Sequence, residues 1–200
     1  MKASLQYKIG RILLYLIFKN LFGLKREGLS NVPKEGSVII APNHRSNYDP
    51  PIVGCCIDSR EIYFLAKSGL FISKIAKWFL SGLNAIPVDL ESPLVGTMKR
   101  FIELLKDGKA IMIFPEGTRS KTGKYLRAKT GVGYLAIKTN SPVIPTYIEG
   151  TFESMKNHLL RKTPLRVKFG NPIYPYKEIN SVKDANLLSN KILEEIKRLG

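Results

Sequence analysis

The chain has few of the residues that staple small or secreted proteins. Its 200 residues include only two cysteines, Cys55 and Cys56, which are adjacent. Adjacent cysteines cannot connect distant segments, so the sequence excludes a disulfide framework and is typical of a reducing, cytoplasmic compartment. We expect both to be small core residues. His44 and His158 lie far apart without cysteine partners, so nothing predicts a zinc or other metal site, and no cofactor is expected.

The N-terminal segment lacks a hydrophobic run long enough to span a membrane. Its longest apolar run, 12–18, is far shorter than the roughly 20 residues that a spanning helix needs. The segment 9–22 is apolar with basic flanks, and no convincing signal-peptide cleavage site follows it. Two interpretations stay open: a helix lying in a membrane interface, or a terminal helix packed on the core. We expect residues 1–26 to be a membrane-associating helical segment, preceding a domain that covers 27–200.

Acidic residues are scarce relative to basic ones. The chain has 32 Lys and Arg against 16 Asp and Glu, a formal net charge of +16. Two stretches, 117–148 and 154–176, contain no acidic residue at all. Surfaces of this kind attract polyanions such as nucleic acid, an anionic membrane or phosphorylated ligands, unless they are simply solvated. No recognisable nucleic-acid motif accompanies the charge, so we expect an anionic membrane surface as partner and no nucleic acid.

Strand-like and helix-like segments alternate along the chain. Strands are predicted at 37–41, 62–66, 85–88, 110–114, 143–149 and 165–169. Helices are predicted to open at Pro50-Pro51, to cover 70–80, to run from Ser92-Pro93 through Lys106, to cover 131–139, and to follow a cap at Ser181. This order predicts a single α/β domain, with a largely parallel or mixed sheet and helices on both faces, preceded by an N-terminal amphipathic helix.

The first polar motif, 43–49, follows a buried strand pattern. Ligands of parallel sheets sit at the carboxyl ends of the strands, so this motif is placed where chemistry occurs. A neutral imidazole at His44 can take a proton from an alcohol, and Asp49 can fix its tautomer and stabilise the imidazolium. Ser46 lies between them and is a rival nucleophile. The alternative is a turn in which Asn43 and Asp49 cap backbone groups and His44 merely packs.

The second polar motif, 114–120, follows the strand at 110–114. Gly117 permits a tight turn with close backbone approach, and Thr118 offers a hydroxyl. Arg119 offers a planar fork for phosphate oxygens. Glu116 can orient that arginine or bind a substrate hydroxyl. The alternative is an exposed turn with a surface ion pair.

Both motifs resemble those of the 1-acylglycerol-3-phosphate acyltransferases and related glycerolipid acyltransferases. The segment 43–49 matches Asn-His-x-Ser-x-x-Asp, the segment 114–120 matches Phe-Pro-Glu-Gly-Thr-Arg-Ser in full, and 143–145 is similar to a later Val-x-Pro block. The resemblance implies His44 as general base and Asp49 as its partner. The acceptor-binding residues that it implies in the second motif are Glu116, Gly117, Thr118 and Arg119.

One position departs from the pattern of these acyltransferases. The family's intermediate block usually ends in an arginine that binds the acceptor phosphate, whereas here the segment 82–90 ends in Leu90. Leucine cannot pair with phosphate. Either Lys67 and Arg119 carry that role, which we favour because some relatives use a lysine at the position of Lys67, or the acceptor headgroup differs.

The resemblance implies acyl transfer in phospholipid synthesis. A fatty acyl group would move from acyl-CoA or acyl carrier protein to the free hydroxyl of 1-acylglycerol-3-phosphate, giving phosphatidic acid. The alternatives are another lysolipid or amine-containing acceptor and, in a different class, a basic nucleic-acid-binding protein. The apolar stretch 62–83 is either the lining of an acyl-chain groove or ordinary core. We expect a peripheral or monotopic protein on the cytoplasmic face of a membrane.

Overall fold

A seven-stranded sheet organises the chain in a computed structural model that describes residues 4–89, 95–152, 164–175 and 181–200. The strands are β1 (Lys25–Glu27), β2 (Val38–Pro42), β3 (Ile62–Lys67), β4 (Ala85–Val88), β5 (Ala110–Met112), β6 (Val143–Glu149) and β7 (Arg166–Phe169). The helices are α1 (Leu5–Phe22), α2 (Asp49–Cys56), α3 (Lys74–Gly82), α4 (Val95–Lys106), α5 (Gly131–Thr139) and α6 (Val182–Arg198). Short 3-10 turns cover Leu29–Asn31 and Ser68–Leu70.

The strand order is β1-β7-β6-β2-β5-β3-β4. The five strands from β6 to β4 are parallel to their neighbours, whereas β7 is antiparallel to β6 and parallel to β1. The sheet is therefore mixed but largely parallel, as predicted. Because β2 and β5 are adjacent and parallel, the loops that leave their carboxyl ends start side by side at one edge of the sheet.

Helices cover both faces of the sheet, and β2 divides its side chains between them. All five β2 residues are buried, and the run of Val and Ile suits a strand that is covered on both sides. Val38 and Ile40 belong to a core cluster with residues of α1 and α2, while Ile39 and Ala41 belong to a second cluster with residues of α4, α5 and α6. The predicted fold class is confirmed. Cys55 and Cys56 are free thiols buried in the first cluster, as expected.

Several element boundaries differ from the predictions. Helix α3 begins at Lys74 because Ser73 caps it and the residues 68–70 form a 3-10 turn instead. Strand β1 was not expected, since its sequence Lys-Arg-Glu has no apolar pattern and is ordered by pairing with β7. The predicted helix start at Ser92-Pro93 and the departure at Leu90 lie outside the described residues.

The N-terminal helix α1 packs on the body of the protein along one side only. Tyr7 and Phe18 are buried, and the Tyr7 hydroxyl accepts a hydrogen bond from the backbone N–H of Ile62 at 3.0 Å. The opposite side is exposed and apolar. Among the described residues, no helix has both the length and the apolar content needed to cross a membrane. The domain boundary at residue 26 stays a prediction; strand β1 lies across it.

Candidate active site

His44 and Asp49 form a hydrogen-bonded pair just beyond the carboxyl end of β2. The Nδ1 atom of His44 lies 2.8 Å from Oδ2 of Asp49, which is the first residue of α2 and is fully buried. The same Oδ2 accepts hydrogen bonds from the backbone N–H groups of Arg45 at 2.7 Å and Ser46 at 2.8 Å. The carboxylate therefore caps the turn and holds the imidazole at the same time, which unites the two interpretations that the sequence left open.

Two further residues fix the position of the histidine. The ring of Phe114 stacks on the His44 imidazole, with 3.8 Å between ring centroids and an angle of 18° between the planes. Asn43 is fully buried, and its side chain exchanges two hydrogen bonds with the backbone of Ile148 on β6, at 3.0 and 2.7 Å. Since Nδ1 is engaged by Asp49, Nε2 is the ring nitrogen left for a substrate proton.

Glu116 connects the second motif to the first. Its Oε1 accepts a hydrogen bond from the backbone N–H of His44 at 2.9 Å, and its Oε2 accepts one from the backbone N–H of Leu126 at 2.7 Å. The side chain is buried. A second bridge runs from the N–H of Ser120 to the carbonyl oxygen of His44 at 2.9 Å. Each carboxylate oxygen thus accepts a backbone hydrogen bond, and Glu116 holds two loops together.

The three residues after Glu116 are exposed. Gly117 has a φ of 65°, in the left-handed region that favours glycine. A Cβ at this position would lie 2.7 Å from Cδ of Lys129, so the glycine also allows the Lys129 side chain to lie across the turn. Thr118 and Arg119, the next two residues of the same loop, are exposed. The loop therefore presents two cations and a hydroxyl, a donor set suited to an anion.

Lys67 ends strand β3, which pairs with β5 on the side away from β2. It is therefore on the same edge of the sheet as both motifs and is exposed. Within the described part of the chain, neither Lys67 nor Arg119 has a hydrogen-bond or ion-pair partner. Two cations without a partner among the described residues thus lie at this edge of the sheet, which suits an anionic ligand.

The structure joins some of the predicted site residues directly. Hydrogen bonds connect His44, Asp49 and Glu116, and Gly117 follows in the same loop, whereas Lys67 reaches this edge on a separate strand. Sequence reasoning missed Phe114 and Lys129, and it named Asn43 only as a cap of backbone groups. Asn43 and Phe114 belong to the quoted motifs, and Lys129 lies in the acid-free stretch 117–148, but only the tertiary structure shows what they contact.

The fold and the site define an α/β enzyme with a hydrogen-bonded His44–Asp49 pair at the carboxyl edge of its sheet. The acyltransferase family profile matches residues 23–149. A curated Bacillus subtilis relative, a 1-acyl-sn-glycerol-3-phosphate acyltransferase, is 31% identical over 168 residues, which cover 84% of this chain and 82% of that protein. The chain belongs to the acyltransferase family, and the resemblance seen in the two motifs is confirmed.

Other relatives are similar over part of their length. A chloroplastic 1-acyl-sn-glycerol-3-phosphate acyltransferase of Brassica napus is 32% identical over 176 residues, or 85% of this chain and 50% of that protein. The chain thus spans about half the length of this plant relative, and 43% of a related one from Arabidopsis thaliana. The crystal structure of the 1-acyl-sn-glycerophosphate acyltransferase PlsC from Thermotoga maritima matches with a TM-score of 0.77 at 30% identity, covering 96% of this chain and 77% of that one.

Proposed function

We propose that this chain transfers a fatty acyl group from a thioester to the free hydroxyl of 1-acylglycerol-3-phosphate, giving phosphatidic acid. The observation that supports this most directly is the His44–Asp49 pair at 2.8 Å, which is connected by Glu116 to a loop with exposed cations. The names of the relatives support the same acceptor. The acyl donor is acyl-CoA or an acylated acyl carrier protein. It is a co-substrate, and no bound cofactor is proposed.

The proposed reaction is a direct acyl transfer with His44 as general base. With Nδ1–H donating to Asp49, Nε2 takes the proton of the acceptor hydroxyl as that oxygen attacks the thioester carbonyl carbon. The C–S bond breaks, and the departing thiolate receives the proton from the imidazolium. The products are an ester and a free thiol, and no acyl-enzyme forms. Stacking on Phe114 keeps the ring in one orientation during the transfer.

We assign binding of the acceptor phosphate to the cations near His44. Arg119 and Lys67 make charge-assisted hydrogen bonds to it, with Lys129 as a third cation beside Gly117. Gly117 and Thr118 contribute a close backbone approach and a hydroxyl. Glu116 acts on binding indirectly, because it holds this loop against the backbone of His44.

Membrane association of the protein through α1 is part of the proposal. Seven large apolar side chains of this helix are exposed, between 37% for Ile17 and 73% for Leu5. Their burial among acyl chains gives attachment that resists salt, while the basic residues give attachment to anionic lipid that salt weakens. The active site would then work peripherally at the cytoplasmic face, where a lysophospholipid acceptor resides.

An acceptor screen tests the function. Purified protein is given labelled oleoyl-CoA or oleoyl acyl carrier protein, together with lysophosphatidic acid, lysophosphatidylcholine or lysophosphatidylethanolamine. We expect turnover with lysophosphatidic acid; turnover confined to zwitterionic lysolipids would contradict the acceptor assignment. Leu90→Arg tests the departure from the family pattern, since it should increase the preference for lysophosphatidic acid if that position serves the phosphate.

The attachment through α1 is better tested by substitution than by deletion. Removing residues 1–26 would also remove Tyr7 and Phe18 from the core. Leu13→Gln with Leu16→Gln changes only exposed positions, at 54% and 47%. This double variant should sediment less with neutral vesicles than the parent protein does, and the loss should persist in high salt. Unchanged sedimentation would mean that α1 serves only as a packing element.

A further inference from the structure

Two neighbouring segments carry most of the exposed large apolar side chains of the described chain. Twelve of the eighteen exposed large apolar side chains lie on α1 or within residues 70–79. Those of the second segment are Leu70, Ile72, Ile75, Trp78 and Phe79. Ile72 and Ile75 are 87% and 80% exposed. Such a concentration marks an interaction surface, because single exposed apolar residues are normal but clusters are not.

Helix α3 is amphipathic with its apolar side turned outward. None of its residues is buried. Ile75, Trp78 and Phe79 are spaced three and four residues apart, so they form one stripe on the helix surface. A different side of the helix faces the core, and the partly buried Leu80 packs there. The sequence left the stretch 62–83 as acyl groove or ordinary core, and for α3 the exposure of this stripe excludes ordinary core.

The helices α1 and α3 are in contact. The Nε2 atom of Gln6 donates a hydrogen bond to the carbonyl oxygen of Trp78 at 2.9 Å. The Gln6 side chain packs where a Cβ of Gly82 would lie, and Gly10 packs against the Leu83 side chain. The two exposed apolar segments therefore belong to adjacent helices, and their positions relative to each other are fixed by these contacts.

Both exposed apolar segments carry basic residues in their sequence and no acidic ones. No acidic residue occurs in 1–26 or in 62–88. Lys74 and Lys77 accompany the apolar stripe of α3, and Lys67, a proposed phosphate ligand, lies at the end of the strand just before it. A second copy of this surface would bring like charges together, whereas an anionic bilayer would complement them. Tryptophan beside lysine is also the composition of a membrane–water interface.

We propose that α3 and the preceding residues 70–73 form a second membrane-contacting surface, which enters the interface of an anionic bilayer together with α1. The proposal rests on the proposed function in so far as a lipid acceptor requires a membrane-facing site. Two contacts fix the orientation of the protein, whereas a single helix allows rotation about its axis. In the docked orientation Lys67 reaches the membrane surface, where the phosphate of a lysolipid lies.

The protein contains a built-in probe of this surface, since Trp78 is its only tryptophan. The full chain is mixed with vesicles of phosphatidylglycerol and phosphatidylcholine, or with the same vesicles carrying brominated acyl chains. We expect the Trp78 emission to shift to shorter wavelength and to be quenched by the brominated lipid. Emission that stays unchanged while the protein sediments with the vesicles would overturn the proposal. So would a shift that depends on protein concentration without vesicles, which would indicate a second copy.

Substitution provides an independent measure. Ile72→Gln with Ile75→Gln removes two exposed isoleucines, and vesicle affinity should fall about tenfold or more. The matched control is Leu187→Gln on α6, at a position that is 59% exposed, which should leave vesicle affinity unchanged. Intact vesicle affinity in the isoleucine variant, with a raised KM for the acyl donor, would assign the surface to an acyl chain and overturn the proposal.

The outcomes separate this surface from the proposed function. Turnover of a short-chain, water-soluble lysophosphatidic acid should be the same in the isoleucine variant as in the parent protein, since neither residue is placed in the catalytic machinery. If the parent protein turns over no lysolipid but Trp78 still enters the bilayer, the proposed function fails while the membrane surface stands. If turnover is normal but Trp78 stays in water, only the surface fails.

Discussion

The carboxylate of Glu116 accepts a hydrogen bond from the backbone N–H of His44 at 2.9 Å, across 72 residues of sequence. The second oxygen of Glu116 holds the backbone of Leu126. The two motifs are therefore one unit: the first carries His44, and the second holds the backbone of that residue. Since charge-assisted hydrogen bonds are stronger than neutral ones, the buried carboxylate is a firm anchor for the backbone of His44.

We predict that Glu116→Gln lowers both stability and kcat. The neutral amide keeps the shape of the side chain but replaces one acceptor oxygen by an NH2 group, which faces a backbone donor. The free energy of unfolding should fall by about 1.5–3 kcal/mol, and displacement of the base should lower kcat roughly 10- to 100-fold. Urea unfolding and steady-state kinetics measure both. Glu103→Gln, at an exposed position on α4, is the control. A rise in acceptor KM with unchanged kcat and stability would instead assign Glu116 to the acceptor.

We predict that His44→Ala abolishes turnover in a folded protein. General-base catalysis contributes roughly 10²–10⁴-fold in rate, and the loss should be of this size. The imidazole is a partly exposed group just beyond β2, so its removal should leave the fold intact. Circular dichroism checks this. A folded His44→Ala protein that keeps more than about a tenth of the parent kcat would contradict the role of base.

Asp49→Asn separates the two functions of that carboxylate. The amide oxygen can still accept from the backbone of Arg45 or Ser46, so the turn should persist. The imidazolium, however, loses its negative partner and the tautomer is no longer fixed. We expect kcat to fall by at least about tenfold with the fold retained. Loss of the fold instead, seen by circular dichroism, would mean that the capping role dominates.

We predict that Arg119→Ala and Lys67→Ala act on acceptor affinity. Each removes a charge-assisted interaction with phosphate, typically about 1.5–3 kcal/mol, so acceptor KM should rise roughly 10- to 100-fold while donor KM changes little. Initial rates with each substrate varied in turn measure this. Lys124→Ala, at another exposed lysine of the same basic stretch, is the control. A larger effect on the donor KM would place these cations in the donor site.

The sequence was sufficient to predict the architecture because its hydrophobic pattern is strong. The buried run of β2, the limits of β4, α5 and β6, and the Ser181 cap of α6 all agree with the structure. The pair His44–Asp49 was accessible because both residues lie in one short motif. These are local features, and local features are what hydrophobic periodicity and motif spacing report.

The missed features are those that tertiary contacts decide. The role of Glu116 depends on the backbone of a loop that is distant in sequence, and spacing carries no information about it. The outward apolar stripe of α3 has the composition of a core helix, so the pattern alone does not show which side is covered. Strand β1 lacks any apolar pattern and forms because the edge of β7 is available to pair with it.

The last prediction concerns the docking of α1 and its dependence on pH. Burial raises the pKa of Tyr7 to about 12, and it outweighs the hydrogen bond from Ile62, which favours the phenolate. The folded protein retains the phenolic proton of Tyr7 at pH values where the unfolded chain loses it. The contribution of Tyr7 to the free energy of unfolding is therefore intact below about pH 10 and is lost as the pH rises toward 12. Between about pH 9 and about pH 11.5, this effect should lower the free energy of unfolding by about 2 kcal/mol.

Tyr7→Phe should be less stable at pH 9, by about 1–3 kcal/mol, because the N–H of Ile62 loses its acceptor. The stability gap between the two proteins should then shrink with pH in urea titrations; a constant gap would mean that Tyr7 is not buried in the folded protein.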